Sequence, residues 1–267
     1  MRFIKLLSAL LFIFTVSSCT ITEKMILSEK GSGKFSYDID GSQMMSMMAG
    51  ALKSKSNGDA KKGDAKKKSK DIHSTFTFKE MLASKKDSIA KLSSEEQEKI
   101  KKMERFSMHM VVNEEKGIMT YSMFSDFNAI SELQDIMSPV QSMKSMVPGG
   151  SNKMMAANSG LPEDDSSMKF FYDGKSFQKI VSKKEPKKEE GKGESDKDSE
   201  AAKMKESLEM IYGQSHYKVV YQFPKAVKSV SEPNALFSDD RKTVTIEYPL
   251  KQYMENPDKL NFQVEFQ

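Results

Sequence analysis

Short stretches in which apolar and polar residues alternate recur along the chain and restrict its fold more than any other feature. Phe35, Tyr37 and Ile39 alternate with polar residues in "GKFSYDID", and Phe76 and Phe78 belong to a similar run in "DIHSTFTFKEML". Alternation with a period of two is typical of a strand that buries one face and leaves the other in water. We therefore expect strands at both places.

Further alternating runs come in pairs joined by turn residues. "RFSMHMVVNEEKGIMTYSMF" predicts a hairpin with its turn at 113–117, and "MKFFYDGKSFQKIV" predicts a second hairpin with Asp173 and Gly174 in a type I′ turn. "SHYKVVYQF", "KTVTIEYPL" and "LNFQVEFQ" predict three more strands. Because hairpins join antiparallel neighbours, these runs indicate an antiparallel sheet.

Helical patterns are fewer and shorter. Ser94 followed by Gln97 has the spacing of a capping box, so we expect a helix from Ser94 to about Glu104. Asp126 is placed to cap another helix that would run to Met137. Together the patterns predict an α+β fold, in which an antiparallel sheet carries a few packed helices.

Two charged stretches interrupt these patterns. Residues 53–70 hold eight lysines and two aspartates, with no apolar side chain larger than alanine, and residues 182–203 hold seven lysines and seven acidic residues. Such segments bury too little apolar surface to offset the conformational entropy lost on ordering. We therefore expect one α+β domain over 33–267 with two disordered, mobile insertions.

The amino terminus has the features of an export signal. Arg2 and Lys5 precede an apolar run over 6–16 that is too short to span a bilayer, and Ser17 and Ser18 lead to the single cysteine of the chain, Cys19. The sequence "VSSC" resembles the lipobox of bacterial lipoproteins. That resemblance implies a signal peptide over 1–18 and acylation of Cys19 with chains such as palmitate. Residues 19–32, which precede the first expected strand, are expected to form a tether leading to the domain.

The lipobox resemblance also implies a location. Lipid chains on Cys19 would hold the protein at a membrane of the cell envelope, because two or more chains anchor stably. In the best-known sorting rule an aspartate after the cysteine retains a lipoprotein in the inner membrane. Thr20 stands there instead, so we expect the outer membrane. The formal net charge of only +4 indicates no nucleic-acid partner.

A second resemblance concerns the last fifth of the chain. The stretch from "YQFPKAV" to "LNFQVEF" resembles the closing strands of LppM-like envelope lipoproteins through its strand spacing and through Pro224, Asp240 and Tyr248. The resemblance implies a strand ending in proline, a crossing connection and a final hairpin-like pair of strands.

Methionine is unusually frequent, with 21 residues and no tryptophan. Thioethers bind Cu(I), so a periplasmic copper-binding protein is one interpretation. Its candidate ligands are Met44, Met45, Met47, Met48, Met108, His109 and Met110. Methionine equally fills irregular cores or lines adaptable grooves. A lipid-binding groove is therefore another interpretation, with Phe106, Met108, Met110, Phe76 and Phe78 as its candidate lining.

No sequence motif supports catalysis. Gly174-Lys175-Ser176 lacks the preceding glycine of a phosphate-binding loop, since Lys169 stands there, and no serine lies in a Gly-x-Ser-x-Gly elbow. We expect no enzyme and no cofactor. The leading hypothesis is a non-enzymatic envelope lipoprotein that binds a lipid or another envelope component.

Deleting residues 54–69 tests whether the first charged stretch lies outside the core. We expect the free energy of unfolding in urea to change by no more than about 1 kcal/mol, because shortening a loop alters closure entropy only slightly. Trypsin should also cut the intact protein first within this stretch. A large loss of stability, or protection from trypsin, would contradict the prediction.

Overall fold

The alternating stretches form two β-sheets in the computed structural model, which describes residues 20–43, 45–46, 71–83, 85–134, 166–183, 206, 209–210 and 213–267. The strands are β1 Thr20–Leu27, β2 Gly33–Asp40, β3 Asp71–Thr77, β4 Ser107–Asn113, β5 Ile118–Phe127, β6 Ser166–Tyr172, β7 Ser176–Lys183, β8 His216–Gln222, β9 Val227–Val230, β10 Leu236–Phe237, β11 Thr243–Pro249 and β12 Phe262–Phe266. The α+β class is confirmed, although its helical part is small.

The helices are short. They are α1 Phe78–Ala83, α2 Lys86–Ile89, α3 Ser94–Met103 and α4 Leu250–Glu255, with 3₁₀ helices at Ile130–Leu133 and Pro257–Leu260. The helix expected at Ser94 is present. Gln97 reaches back as predicted, but its side-chain amide donates to the Leu92 carbonyl at 2.9 Å.

The large sheet has the strand order β10-β11-β8-β1-β2-β5-β4-β3, and the small sheet has the order β6-β7-β12-β9. Among the described strands, every pair is antiparallel except β1 and β8, which run parallel. These two strands are far apart in sequence, so no hairpin turn dictates their relative direction. The hairpins β4–β5 and β6–β7 match the sequence prediction.

The small sheet covers part of one face of the large sheet, here called the inner face. Aromatic side chains fill the space between the sheets: the rings of Phe35 and Phe170 lie 5.9 Å apart, and those of Phe177 and Tyr221 lie 5.5 Å apart. All four side chains are fully buried. The opposite face of the large sheet, the outer face, carries mostly polar residues.

The expectation of a tether over 19–32 is wrong, because Thr20–Leu27 forms β1 in the interior of the large sheet. Ile21, Met25 and Leu27 alternate and are buried, as in any half-buried strand. Glu23 occupies the remaining buried position of this face and disguises the alternation in "TITEKMIL". The domain therefore includes residues from 20 onward rather than from 33.

Two local expectations also need correction. Asp126 does not cap a helix, because it pairs with Lys34 and β5 continues to Phe127. The turn after Tyr172 is not type I′, since Gly174 has φ of +79° but Asp173 does not have a positive φ. Asp173 instead accepts hydrogen bonds from backbone amides after the turn.

The carboxyl-terminal strands do not form the final hairpin-like pair that the resemblance implied. β11 lies in the large sheet and β12 in the small sheet, because α4 and the second 3₁₀ helix carry the chain from one to the other. Strand β7 extends through Lys183, so the first two residues of the insertion expected over 182–203 belong to a strand. The stretches 53–70 and 184–203 lie outside the described residues.

Gly33 offers a test of the close approach of β1 and β2. A Cβ atom added there would lie 1.9 Å from the Ile26 carbonyl oxygen and 2.8 Å from Phe127 Cζ. We expect Gly33→Ala to lower the free energy of unfolding by about 1–3 kcal/mol, because the backbone must shift. At Gly213 an added Cβ meets nothing within 4 Å, so Gly213→Ala is the control in the same urea titration. Equal effects of the two substitutions would contradict the prediction.

Candidate functional site

The residues proposed from sequence to line an apolar groove belong to the core. Phe78, Phe106 and Met108 are at most 4% exposed, and Phe76 and Met110 are partly buried against the core. Two surface grooves are formed by other residues. One lies between α1, α2 and α3, and the other lies beside Phe171 and Gln134. The lipid-binding groove stays a prediction.

The proposed copper ligands are placed apart where the structure describes them. Met108 and Met110 face the inner side of β4, whereas His109 lies on the outer face with its Nδ1 2.8 Å from Thr75 Oγ1. Met45 is described, but Met44, Met47 and Met48 lie outside the described residues. Within the described part of the chain, no group of three or more His, Cys, Asp or Glu side chains could hold a metal ion. The copper site also stays a prediction.

The three histidines are not brought together. His216 on β8 is separated from His109 on β4 by three intervening strands, and His73 lies on the edge strand β3. His216 Nδ1 lies 2.9 Å from Glu247, and His73 Nε2 lies 3.2 Å from Asp71. Each of these two imidazoles is therefore satisfied by its own neighbouring carboxylate.

A row of polar side chains crosses the outer face of the large sheet. Ser122 Oγ donates to Asp38 at 2.6 Å, and Asp38 also pairs with Lys24 at 2.7 Å. His109 lies opposite Ser122 across β4 and β5, but its Nδ1 contacts Thr75. Nucleophilic catalysis needs the serine hydroxyl to donate to a base oriented by a third group. In this row the serine donates directly to an ion-paired carboxylate.

A fully buried ionic cluster joins the two sheets. Glu23 of β1 accepts hydrogen bonds from Lys179 Nζ of β7 at 2.7 and 2.9 Å. The hydroxyls of Tyr217 and Tyr221, both on β8, also donate to the Glu23 carboxylate. Tyr253 of α4 stacks on Tyr217 with ring centroids 4.9 Å apart. The cluster is closed to solvent, since Glu23 and Lys179 are both 0% exposed.

Burial controls the protonation of this cluster. It lowers the pKa of the Lys179 ammonium below its usual range, and the Glu23 carboxylate partly opposes that change. Burial, reinforced by Glu23, raises the pKa of Tyr221 well above its usual range. The Tyr221 phenol therefore stays protonated and donates to the carboxylate. Because no solvent or substrate reaches these groups, the cluster acts on the fold rather than on a ligand.

The cluster was missed by sequence reasoning, although a signal existed. Glu23 stands between Ile21 and Met25 in the alternation of β1, and Lys179 stands between Phe177 and Val181 in that of β7. Each charged residue therefore occupies a position that the alternation of its strand assigns to the buried, apolar face. Two opposite charges in such positions indicate a buried pair, because either charge alone would be too costly to bury.

The end of the large sheet at which the chain enters is the candidate functional site, and we call it the entry end. Thr20 pairs there with His216, and Ile21 pairs with Ile39 of β2. The described fold therefore begins one residue after Cys19. Because β1 pairs with β8 from Thr20 and with β2 from Ile21, its position is fixed on both sides from its second residue.

The turn between β4 and β5, residues 113–118, projects beyond this end, and we call it the hairpin tip. Asp40 at the end of β2 pairs with Thr120, so Ile118 lies two residues further out, or about 7 Å at 3.4 Å per residue. Gly117 turns the chain with φ of +64°, and the Asn113 side chain accepts from the Lys116 amide at 2.8 Å. Ile118 is 37% exposed.

The chain after β2 packs beside the hairpin tip. The Gly41 amide donates to the Met119 carbonyl at 2.7 Å, and the Met119 amide donates to Ser42 Oγ at 3.1 Å. Asp71, the first residue of β3, pairs with Asn113. The segment between Ser46 and Asp71 thus leaves and re-enters the described structure near this tip.

In the described part of the chain, no helix has both the length and the apolar character needed to cross a membrane.

Comparison with known proteins gives one distant similarity. No family model and no curated protein matches the chain. Among solved structures, the chain is similar to the folded domain of the LppM protein of Mycobacterium tuberculosis, determined by NMR, with 7% sequence identity and a TM-score of 0.35. The match covers 93% of this chain and 89% of the other. A similarity of this degree defines no function.

The buried cluster gives a stability prediction. Lys179→Met should lower the free energy of unfolding by about 3–5 kcal/mol, because it leaves the Glu23 carboxylate buried without its ammonium partner. Glu23→Leu combined with Lys179→Met should cost much less than the sum of the two single substitutions, since neither charge then remains. Urea titration measures all three variants.

Lys24→Met is the matched control for the buried lysine. Lys24 is adjacent to Glu23 and forms an ion pair with Asp38, but its side chain is 51% exposed. An exposed pair contributes about 0–1 kcal/mol. If Lys179→Met destabilises the protein no more than Lys24→Met, the buried pair does not have the role described.

Proposed function

We infer that the protein is an envelope lipoprotein, held at a membrane by acyl chains on Cys19, whose domain binds other molecules rather than catalysing a reaction. The observation that carries this proposal is the start of β1 at Thr20, directly after the predicted acylation site. The position of the fold is therefore compatible with the processing that the lipobox implies.

The described polar groups support binding more than catalysis. The Ser122 hydroxyl donates to Asp38, which is ion-paired with Lys24, and His109 contacts Thr75. The charged cluster at Glu23 is closed to solvent. The polar outer face of the large sheet is accessible, since antiparallel sheets commonly keep one face in water, and it offers a surface to which a partner can bind. With Thr20 after the cysteine, the outer membrane is the proposed location.

Incorporation of a clickable palmitate analogue in the expressing cells tests the anchor. Wild-type protein should be labelled and recovered with membranes, whereas Cys19→Ser should carry no label, because the acyl-accepting thiol is absent. Ser18→Ala is the matched control, since it keeps a small residue before the cysteine and should be labelled like the wild type. Equal labelling of Cys19→Ser would overturn the proposal.

Inhibition of the lipoprotein signal peptidase provides an independent test. The inhibitor should make the precursor that retains residues 1–18 accumulate, and mass spectrometry of the amino-terminal peptide would identify it. Normal processing in the presence of the inhibitor would contradict cleavage before Cys19.

A further inference from the structure

The distance between the anchor and the fold is short enough to restrict how the domain sits on a membrane. Consecutive Cα atoms are about 3.8 Å apart, so Thr20 lies within that distance of the Cys19 backbone. Thr20 already pairs with His216, and the next residue pairs with Ile39. β1 can lengthen the connection only if its hydrogen bonds to both neighbouring strands break. The entry end therefore stays at the level of the acylated residue.

The hairpin tip extends past that level in the same direction. Strand β2 pairs with both β1 and β5. Its residue Ile39 lies opposite Ile21 of β1, and its next residue, Asp40, lies opposite Thr120 of β5, so Thr120 is level with the start of β1. Ile118 lies about 7 Å beyond Thr120 along the strand, and the residues of the turn lie further out. A residue acylated next to Thr20 sits at the boundary of the bilayer. With the strands of the large sheet upright on the bilayer, the tip reaches the layer of lipid head groups.

From this geometry we propose that the hairpin tip contacts the head groups of the membrane that holds the anchor, so that the large sheet stands on the bilayer at its entry end. The inference rests on the proposed acylation of Cys19. The surface that the tip contacts is the bilayer itself, because the anchor on Cys19 brings the membrane to this end of the sheet.

The chemistry of the tip is suited to this contact. Ile118 is an exposed apolar side chain beside the exposed base Lys116, and a pair of this kind can place an apolar group among acyl chains and a cation among phosphates. Glu114 and Glu115 are also exposed and can stay in the hydrated part of the head-group layer. With two acidic residues and one basic residue, the tip has no strong attraction for anionic lipid. The contact therefore depends on the anchor and should form on a zwitterionic membrane.

Fluorescence quenching of two labelled variants tests the contact. Ile118→Cys and Ile26→Cys each introduce one cysteine that can be labelled, because the native thiol of Cys19 carries lipid in the mature protein. Both isoleucines are exposed on the outer face of the large sheet, at 37% and 53% respectively. Ile26 pairs with Gln222 near the opposite end of the sheet, so it is the matched control.

The acylated, full-length variants are reconstituted in phosphatidylcholine vesicles that carry a nitroxide quencher on the head group. A label at position 118 should be quenched, and a label at position 26 should not. Inserting ten Gly and Ser residues between Cys19 and Thr20 should abolish the quenching at 118 while the protein stays on the vesicles. The insertion provides a span of about 17 Å and so frees the tip from the membrane surface.

The outcomes separate the two proposals. Vesicle-bound, acylated protein with no quenching at 118, or with equal quenching at 118 and 26, overturns the tip contact but leaves the anchor intact. Quenching at 118 that persists unchanged after the insertion also overturns the argument from the short connection. Protein that carries no lipid and does not float with the vesicles overturns the anchor, and the tip contact with it.

Discussion

The buried pair of Glu23 and Lys179 is the interaction on which the arrangement of the two sheets depends. It connects β1 in the large sheet to β7 in the small sheet, and it is surrounded by the aromatic core. The Glu23 carboxylate has three donors, from Lys179, Tyr217 and Tyr221. A slip of one residue in β1 would turn the carboxylate to the outer face and leave the ammonium unpaired in the core. The pair therefore favours a single register of the sheets.

The same pair links the core to the amino terminus. Glu23 is the fourth residue after Cys19, so the strand that an acyl anchor would hold is also the strand that carries the ionic cluster. An anchor attached to Cys19 would therefore be joined directly to an interior strand of the large sheet rather than to a flexible leader. The lysine-rich residues 53–70 fall between Ser46 and Asp71, which both lie near the hairpin tip. The chain order thus brings the flanks of the basic stretch and the proposed anchor to one end of the molecule.

Much of the fold could be predicted from local patterns. Strands β2, β3, β4 and β5 were expected from alternation because one face of each strand is buried and the other is solvated. β1 was not expected, because Glu23 interrupts its apolar face. Asp126 was read as a helix cap, since a local pattern cannot reveal that β2 pairs with it. Within the candidate site, the sequence predicted Cys19 and the turn at 113–117, but the projection of this turn beyond the entry end became recognisable only once the pairing of β2, β4 and β5 was known.

The sequence by itself determined the α+β class and most strand positions, and it led to the proposal of Cys19 as the acylation site, because alternation, turn residues and the pattern around Cys19 are local properties of the chain. Only the tertiary structure decided the strand order, the division into two sheets, the partner of Glu23 and the projection of the hairpin tip beyond Thr20. These features depend on contacts between residues far apart in sequence, such as Glu23 with Lys179 and Asp40 with Thr120. Local patterns specify which face a residue presents, but the packing of whole strands selects the partner that meets it.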